Sequence, residues 1–338
     1  MTNARFKRRD FLKAGAASVG AVILGSAFSS DGRARAETGP AYGVAQLVIP
    51  HPSRLRILQF TDLHLFADEV HHESVDRQTC ETMRELVKTA KPDLVMVTGD
   101  LWPENRDGMG EAYMQSAIER MEAMGVPWGF VWGNHDQLPD YAAGHAAFEN
   151  AKNSLYRGAA TDGNYVIDIL DQGTRRVWQL ICLNSHEYGV KIAPELQEKL
   201  TAVSTPPVPR IAFFHIPLKQ YDTVWKNGTA AGVIGEDPCI ADEDGSALAF
   251  LKSIGVTACF CGHDHVNDYS GVVDGIELVY GRATGAGGYG VEILPKGGKL
   301  ITINCRKKQH EWVSLTPDGK RWTPKPGECT DRRDDRKG

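Results

Sequence analysis

From Leu55 onward the chain alternates short apolar runs with longer amphipathic ones. Leu55–Phe60, Leu94–Thr98, Trp128–Trp132, Val177–Leu183, Ile211–Phe214 and Val256–Cys261 are nearly continuous apolar stretches of strand length. Between them, Val75–Ala90, Glu111–Met124, Pro194–Val203 and Gly245–Ile254 carry helical periodicity or composition. Fully apolar strands separated by helices predict sheets covered on both faces. Later segments alternate with period two. Tyr165–Asp171 and Arg175–Leu183 predict a hairpin, Tyr269–Asp274 and Ile276–Tyr280 a second around Asp274-Gly275, and Val291–Leu294 with Leu300–Cys305 a third. The pattern predicts an α/β fold with a single catalytic domain over residues 54–305. Residues 37–53, punctuated by Gly39, Pro40, Gly43, Pro50 and Pro52, read as an extended lead-in.

Composition narrows the class. Hydrophobic residues make up 42% and charged residues 24% of 338. Those proportions exclude a disordered chain, a collagen-like chain and a multi-span membrane protein. Net charge is −5, unevenly placed: residues 1–36 hold seven basic side chains against Asp10 and Asp31, so the remainder is clearly acidic. An acidic body without a long basic stripe argues against stable nucleic-acid binding. Residues 306–338 carry ten Lys/Arg against six Asp/Glu and read as a basic, partly disordered C-terminal tail. The seven cysteines form no C-x-x-C pair, which excludes a zinc ribbon and a thioredoxin motif. Cys259 and Cys261 share one face of a strand and are expected to pack there.

The N-terminus reads Lys7-Arg8-Arg9-Asp10-Phe11-Leu12-Lys13, then an uncharged stretch from Ala14 to Ser30, then Ala34-Arg35-Ala36. A basic start, a modest apolar stretch and an A-x-A site describe a secretory signal over residues 1–36. The paired arginines before Phe-Leu-Lys resemble the twin-arginine export signal, with Lys7 in place of its usual Ser or Thr. The resemblance implies the twin-arginine export machinery as a partner and a periplasmic or secreted location. The apolar stretch is shorter than the about 20 residues of a membrane span, so no permanent membrane anchor is expected.

Chemistry gathers where the apolar runs end, the place where α/β sheets bind ligands. Phe60 is followed by Thr61-Asp62-Leu63-His64, Thr98 by Gly99-Asp100, and Trp132 by Gly133-Asn134-His135-Asp136. Phe214 is followed by His215, and Cys261 by Gly262-His263-Asp264-His265. One such residue is ordinarily a turn or cap residue. Five of the eleven histidines falling just past these runs, beside carboxylates or an amide, is a different matter. A structural protein would have to desolvate and pair each of them.

These blocks, D-x-H, G-D, G-N-H-D, a lone H and G-H-D-H in that order, resemble the calcineurin-like metallophosphoesterase superfamily. The strings Phe213–Leu218 and Gly262–Tyr269 are most similar to the branch holding the atypical plant purple acid phosphatases and their fungal relatives. The resemblance implies a four-layer α/β/β/α sandwich of mixed sheets and a dinuclear metal centre. It implies Asp62, His64 and His265 at the first metal, Asn134, His215 and His263 at the second, and Asp100 bridging both. It further implies attack on phosphorus by a hydroxide shared by the metals, with His135 as general acid. The donor set suits two divalent or mixed-valence transition metals, Fe, Mn or Zn. Purple acid phosphatases carry a tyrosinate three residues after the bridging aspartate, where this chain has Pro103. No purple charge-transfer band is therefore expected, and the metal identities stay open.

Asp136, Asp264 and Asp268 are candidates to orient ligand imidazoles through their second nitrogens, or to cap turns. The Gly281–Gly290 stretch is read as a flexible turn, with the alternative that Arg282 or its backbone N–H groups approach a phosphate. The expected activity is hydrolysis of a small phosphate monoester. A phosphodiesterase or nucleotide hydrolase on the same core is the alternative, and a non-catalytic metal-dependent binding protein the remote one.

Overall fold

The computed structural model describes residues 42–337, so the export signal read at 1–36 lies outside the described residues. The first half of the chain supplies β1 (Gly43–Val48), β2 (Leu55–Phe60), α1 (Glu73–Ala90), β3 (Leu94–Thr98), α2 (Gly110–Glu122), β4 (Trp128–Val131) and α3 (Tyr141–Asn150). The middle supplies β5 (Tyr165–Leu170), β6 (Arg176–Cys182), α4 (Pro194–Val203), β7 (Arg210–Phe213), α5 (Lys219–Lys226), β8 (Ala231–Ile234) and α6 (Ser246–Ser253). The remainder supplies β9 (Val256–Cys261), β10 (Asp268–Val273), β11 (Ile276–Tyr280), β12 (Gly298–Asn304), β13 (Gln309–Leu315), β14 (Arg321–Trp322) and β15 (Cys329–Asp331), then a 3-10 turn over Arg333–Lys337.

Two mixed sheets result. One has nine strands in the order β1-β5-β6-β7-β9-β11-β10-β8-β15, the other six in the order β14-β13-β12-β2-β3-β4. Strand alternation decides what each face meets. On β9, Ala258 and Phe260 join a core shared with β2, β3 and β4, whereas Cys259 and Cys261 join α4, α5 and α6 residues such as Leu200, Tyr221 and Leu248. Met83 and Leu86 of α1 and Tyr113 and Ala117 of α2 pack into the first of these cores, with the six-stranded sheet. The layers are thus helices, six strands, nine strands, helices. Cys259 and Cys261 are packing residues, and burial pushes both thiols up.

The ends of the domain differ from the expectation. Within the lead-in, Gly43–Val48 pairs parallel with β5. Val291–Leu294 forms no strand. β12 pairs instead with β2 and with β13, inside the stretch expected to be a disordered tail. Arg306–Lys308, three of the ten basic residues of that stretch, occupy the turn between β12 and β13. Beyond it Gln309–Leu315 alternates, burying Trp312 and Ser314, and His310 and Trp312 both donate to Glu277 on β11. β15 adds parallel to β8 at the sheet edge. Among the described residues no helix is long and apolar enough to cross a membrane.

Between the sheets lies a charged cluster. The buried Asp268 carboxylate of β10 accepts from Lys299 Nζ of β12 (2.5 Å), Arg282 Nε (2.7 Å) and Ser314 Oγ of β13 (2.7 Å). The Lys299 ammonium also lies 4.1 Å from the Trp312 ring centroid. Burial pushes the carboxyl up, but the two cations hold it below the usual carboxylate range. Removing one member of a buried ion network leaves the others desolvated and unpaired. Asp268→Asn is therefore expected to destabilise the fold by about 3–5 kcal/mol, read as a lower urea midpoint. An unchanged midpoint would mean that the cluster does not tie the sheets.

Candidate metal centre

The carboxyl ends of β2, β3, β4, β7 and β9 converge, and the turns that follow them carry the polar side chains. Several of these turns use unusual backbone. Asp62, His64, Asp100 and His263 all have positive φ, between 43° and 81°. L-residues with side chains seldom adopt that region, and such strain concentrates where surrounding contacts over-determine a site. The glycines beside them allow close approach. A Cβ on Gly99 (φ 81°) would lie 2.4 Å from His215 Nδ1, and one on Gly133 would lie 2.3 Å from Asp100 Oδ1.

Two donor sets meet at one carboxylate. Asp62, His64, Asp100 and His265 form the first, and Asp100, His215 and His263 the second, with the ligand atoms of each set within 4.8 Å of one another. In the first, His265 Nε2 lies 3.3 Å from both Asp62 Oδ1 and His64 Nε2, and His64 Nε2 lies 3.8 Å from Asp100 Oδ2. In the second, His215 Nε2 lies 3.2 Å from Asp100 Oδ2, 3.1 Å from His263 Nδ1 and 3.0 Å from Asn134 Oδ1. Asp100 Oδ2 belongs to both. The seven residues named from the sequence as candidate ligands thus lie together, six in the two sets and Asn134 through its contact with His215.

The donor chemistry fits a pair of cations. Asp62 Oδ1 is buried without a hydrogen-bond donor. His215 places Nδ1 2.8 Å from the Thr98 carbonyl, so Nδ1 donates there and Nε2 is the nitrogen turned toward the centre. Burial pulls the His64 imidazole down to about 4, against Asp100, and burial together with His215 brings His263 to about 4. Neutral imidazole is the metal-binding form. Burial also acts on His215, yet Asp100 overrides it and raises the group to about 10. Asp62 and Asp100 feel the same burial, and His265 and His215 respectively hold them below the carboxylate range. A cation binding at Asp100 must therefore displace a proton from His215.

His135 stands beside this centre without joining either set. Its backbone N–H donates to Asp100 Oδ1 (2.9 Å), its Nδ1 lies 3.2 Å from Glu104 Oε1, and its ring meets His64 edge-on with centroids 5.3 Å apart. Half-buried, it lines an open cleft of about 560 Å³ with His64, Asp100, His263 and His265.

Three carboxylates and one arginine take roles other than imidazole orientation or phosphate contact. Asp136 accepts from the backbone N–H groups of Asp100, Leu101, Trp102 and Gly133, clamping the loops that carry Asp100 and Asn134. Asp264 accepts from Tyr280 Oη and the Cys239 N–H. Asp268 and Arg282 belong to the intersheet cluster, where Arg282 Nε donates to Asp268. The sequence reading did not find Glu104 at His135, nor Tyr289. The Tyr289 ring stacks on His265 with centroids 4.3 Å apart, and its hydroxyl donates to Glu236. Both contacts join residues far apart or on irregular loops, where no periodic signal exists.

Comparison with known proteins agrees with this geometry. A model of the calcineurin-like phosphoesterase family matches residues 55–267. The chain belongs to that family. It is accordingly a metal-dependent phosphoester hydrolase by class. This phosphoesterase is 27% identical to the phosphatase DCR2 of Saccharomyces cerevisiae, over 81% of its own length and 56% of the yeast protein. It thus spans little more than half of that relative. It is 24% identical to probable inactive purple acid phosphatase 28 of Arabidopsis thaliana, over 77% of its length and 78% of the plant protein. A shorter segment, 41% of this chain, is 30% identical to 44% of the 3',5'-cyclic adenosine monophosphate phosphodiesterase CpdA of Escherichia coli. The fold is shared with a dimetal phosphatase from Danio rerio, at 13% identity and a TM-score of 0.50, over 78% of this chain and 98% of that one.

Proposed function

We propose that this protein hydrolyses small phosphate monoesters at a two-metal centre, with His135 as proton donor. The observation that carries the reading is the sharing of Asp100 Oδ2 between two buried donor sets. Asp62, His64, His265 and Asp100 would hold one metal, and Asn134, His215, His263 and Asp100 the other. Bound metals would supply Lewis acidity toward the phosphoryl oxygens and acidify a water molecule at neutral pH.

The chain's own residues perform the rest. Asp62 and Asp100 bring the negative charge that two cations require in a buried site. Asn134 adds a neutral oxygen, which leaves the centre net positive toward an anionic substrate. Water oxygen adds to phosphorus as the bond to the ester oxygen breaks, and the departing oxygen takes a proton from His135 Nε2. Glu104 at Nδ1 holds that imidazole in orientation. The products are an alcohol and inorganic phosphate. The same proposal has the protein exported by the twin-arginine pathway and acting on phosphate esters in the periplasm or outside the cell.

A second reading, hydrolysis of phosphodiesters, is favoured by the segment similar to the cyclic nucleotide phosphodiesterase. Protein reconstituted separately with Fe, Mn and Zn should be compared on p-nitrophenyl phosphate and bis-p-nitrophenyl phosphate. Higher kcat/KM on the monoester is expected. Preference for the diester would replace the first reading with the second.

A further inference from the structure

The glycine-rich stretch Gly281–Gly290 is fastened to the first metal motif. Thr284 N–H donates to the Thr61 carbonyl (2.9 Å), Gly285 N–H to the Asp62 carbonyl (3.2 Å) and Ala286 N–H to Thr79 Oγ1 (2.9 Å). The backbone presses so closely there that side chains are excluded. A Cβ on Gly285 would lie 2.1 Å from the Leu63 carbonyl oxygen, and one on Gly288 would lie 2.3 Å from His265 Nδ1.

This close approach delivers one aromatic side chain to the metal centre. The Tyr289 ring lies nearly parallel to the His265 imidazole, with centroids 4.3 Å apart and an interplanar angle of 11°. Its hydroxyl donates to Glu236 Oε1 (2.6 Å), and its carbonyl accepts from Lys296 Nζ (2.7 Å). The ring is thus held from one face, from its edge and from its backbone. With one face on His265 the residue is still 44% exposed, and it lines the main cleft. A second ring can stack there, since offset parallel pairs are a favoured aromatic arrangement. The surroundings suit a neutral ring. Phe66, Pro103 and Gly287 share the lining, Glu236 accepts from Tyr289, and Asp237 pairs with Arg333 Nη1 (2.6 Å). Arg106 lines the same cleft and disfavours a cationic group.

We propose that the exposed face of Tyr289 is a stacking subsite for an aromatic ring on the alcohol portion of the substrate. The proposal rests on the monoesterase reading for its catalytic consequence, but stacking of the ring does not require turnover. His64 stands 5.3 Å from His135 and 5.1 Å from His265 between ring centroids, so two ligand histidines link the proton donor to the Tyr289 platform. The aromatic ring is accordingly carried several bonds from the ester oxygen, as in a phenylalkyl phosphate.

The test uses the metal-loaded full chain with 4-phenylbutyl phosphate and 4-cyclohexylbutyl phosphate, whose leaving groups are alike and whose rings differ in the π face. The phenyl ester should show the higher kcat/KM by about two- to twelvefold, the range for an aromatic pair beyond its area burial. Calorimetry with the corresponding phosphonates, which cannot be hydrolysed, should show the same preference in binding. Tyr289→Phe keeps the face and should keep the ratio. Tyr289→Leu should bring it to one or below, with bound metal measured alongside. Should Tyr289→Leu shed its metal, the wild-type ratio decides: a value above one supports the subsite, and a value at or below one overturns it. A phenyl preference that metal-loaded Tyr289→Leu retains would overturn the assignment to Tyr289. Phenyl-selective phosphonate binding with neither ester cleaved would support the subsite while removing the monoesterase reading. Cleavage of both esters without preference would overturn the subsite and leave the monoesterase reading standing. Neither cleavage nor phosphonate binding would overturn both.

Discussion

Asp100→Asn is expected to lose bound metal and activity together. Asp100 Oδ2 is the atom common to both donor sets, 3.2 Å from His215 Nε2 and 3.8 Å from His64 Nε2, in a carboxylate only 1% exposed. The amide keeps the shape and removes the charge. Two cations at one buried site repel each other strongly, and a shared anion between them is what offsets that repulsion. Without it one cation should be lost outright and the other held weakly. Because partners outside the ligand set are already worth about 10–100-fold, loss of the bridging ligand should lower kcat/KM by more than about 100-fold. Asp100 N–H donates to Asp136 and does not depend on the carboxylate, so the loop should survive the change. Full metal content with full activity in the variant would show that Asp100 does not bridge.

The second large effect concerns the proton. His135→Ala should retain metal, because His135 belongs to neither donor set. Its rate loss should depend on the leaving group. An alkoxide departs poorly without a proton, and general acid catalysis contributes about 10²–10⁴-fold. A nitrophenolate departs as a stable anion and needs little help. The variant should therefore slow strongly on alkyl phosphates and much less on p-nitrophenyl phosphate, with the loss in kcat rather than KM. Equal slowing of both substrates would remove His135 from the role of acid. Glu104→Gln should produce the same pattern more weakly, since Glu104 acts only through the 3.2 Å contact at Nδ1.

Much of the centre was legible because its ligands follow strands whose apolar runs are continuous. Leu55–Phe60, Leu94–Thr98 and Val256–Cys261 coincide with β2, β3 and β9 to the residue. A strand buried on both faces has nowhere to place a polar side chain, so the first His or Asp after it marks the sheet rim. Other elements carry weaker local signals. β8 has only four residues, Ala231–Ile234, and α3 is largely small residues without an amphipathic stripe. β13 was hidden because the Pro, Gly and mixed charges of residues 306–338 were read together as one stretch. Its alternation becomes informative only when β12 supplies a partner.

The roles of Asp136, Asp264 and Asp268 were not legible for a related reason. Each sits in or beside a ligand motif, and sequence proximity offered imidazole orientation and turn capping as equal candidates, of which Asp136 takes the second. The actual partners come from elsewhere in three dimensions: backbone N–H groups 34–36 residues away for Asp136, the Tyr280 hydroxyl for Asp264, and Lys299 with Arg282 for Asp268. The backbone clamp by Asp136 still serves the centre, because it fixes the loops bearing Asp100 and Asn134 relative to each other. Asp268 serves the sheets instead.

The most direct measurement is the number of transition-metal ions bound per chain after reconstitution and removal of excess metal, by elemental analysis of the wild-type protein. The account predicts about two ions per chain, with both lowered in Asp100→Asn. A wild-type protein that retains no ion, or one ion that Asp100→Asn leaves in place, would contradict it.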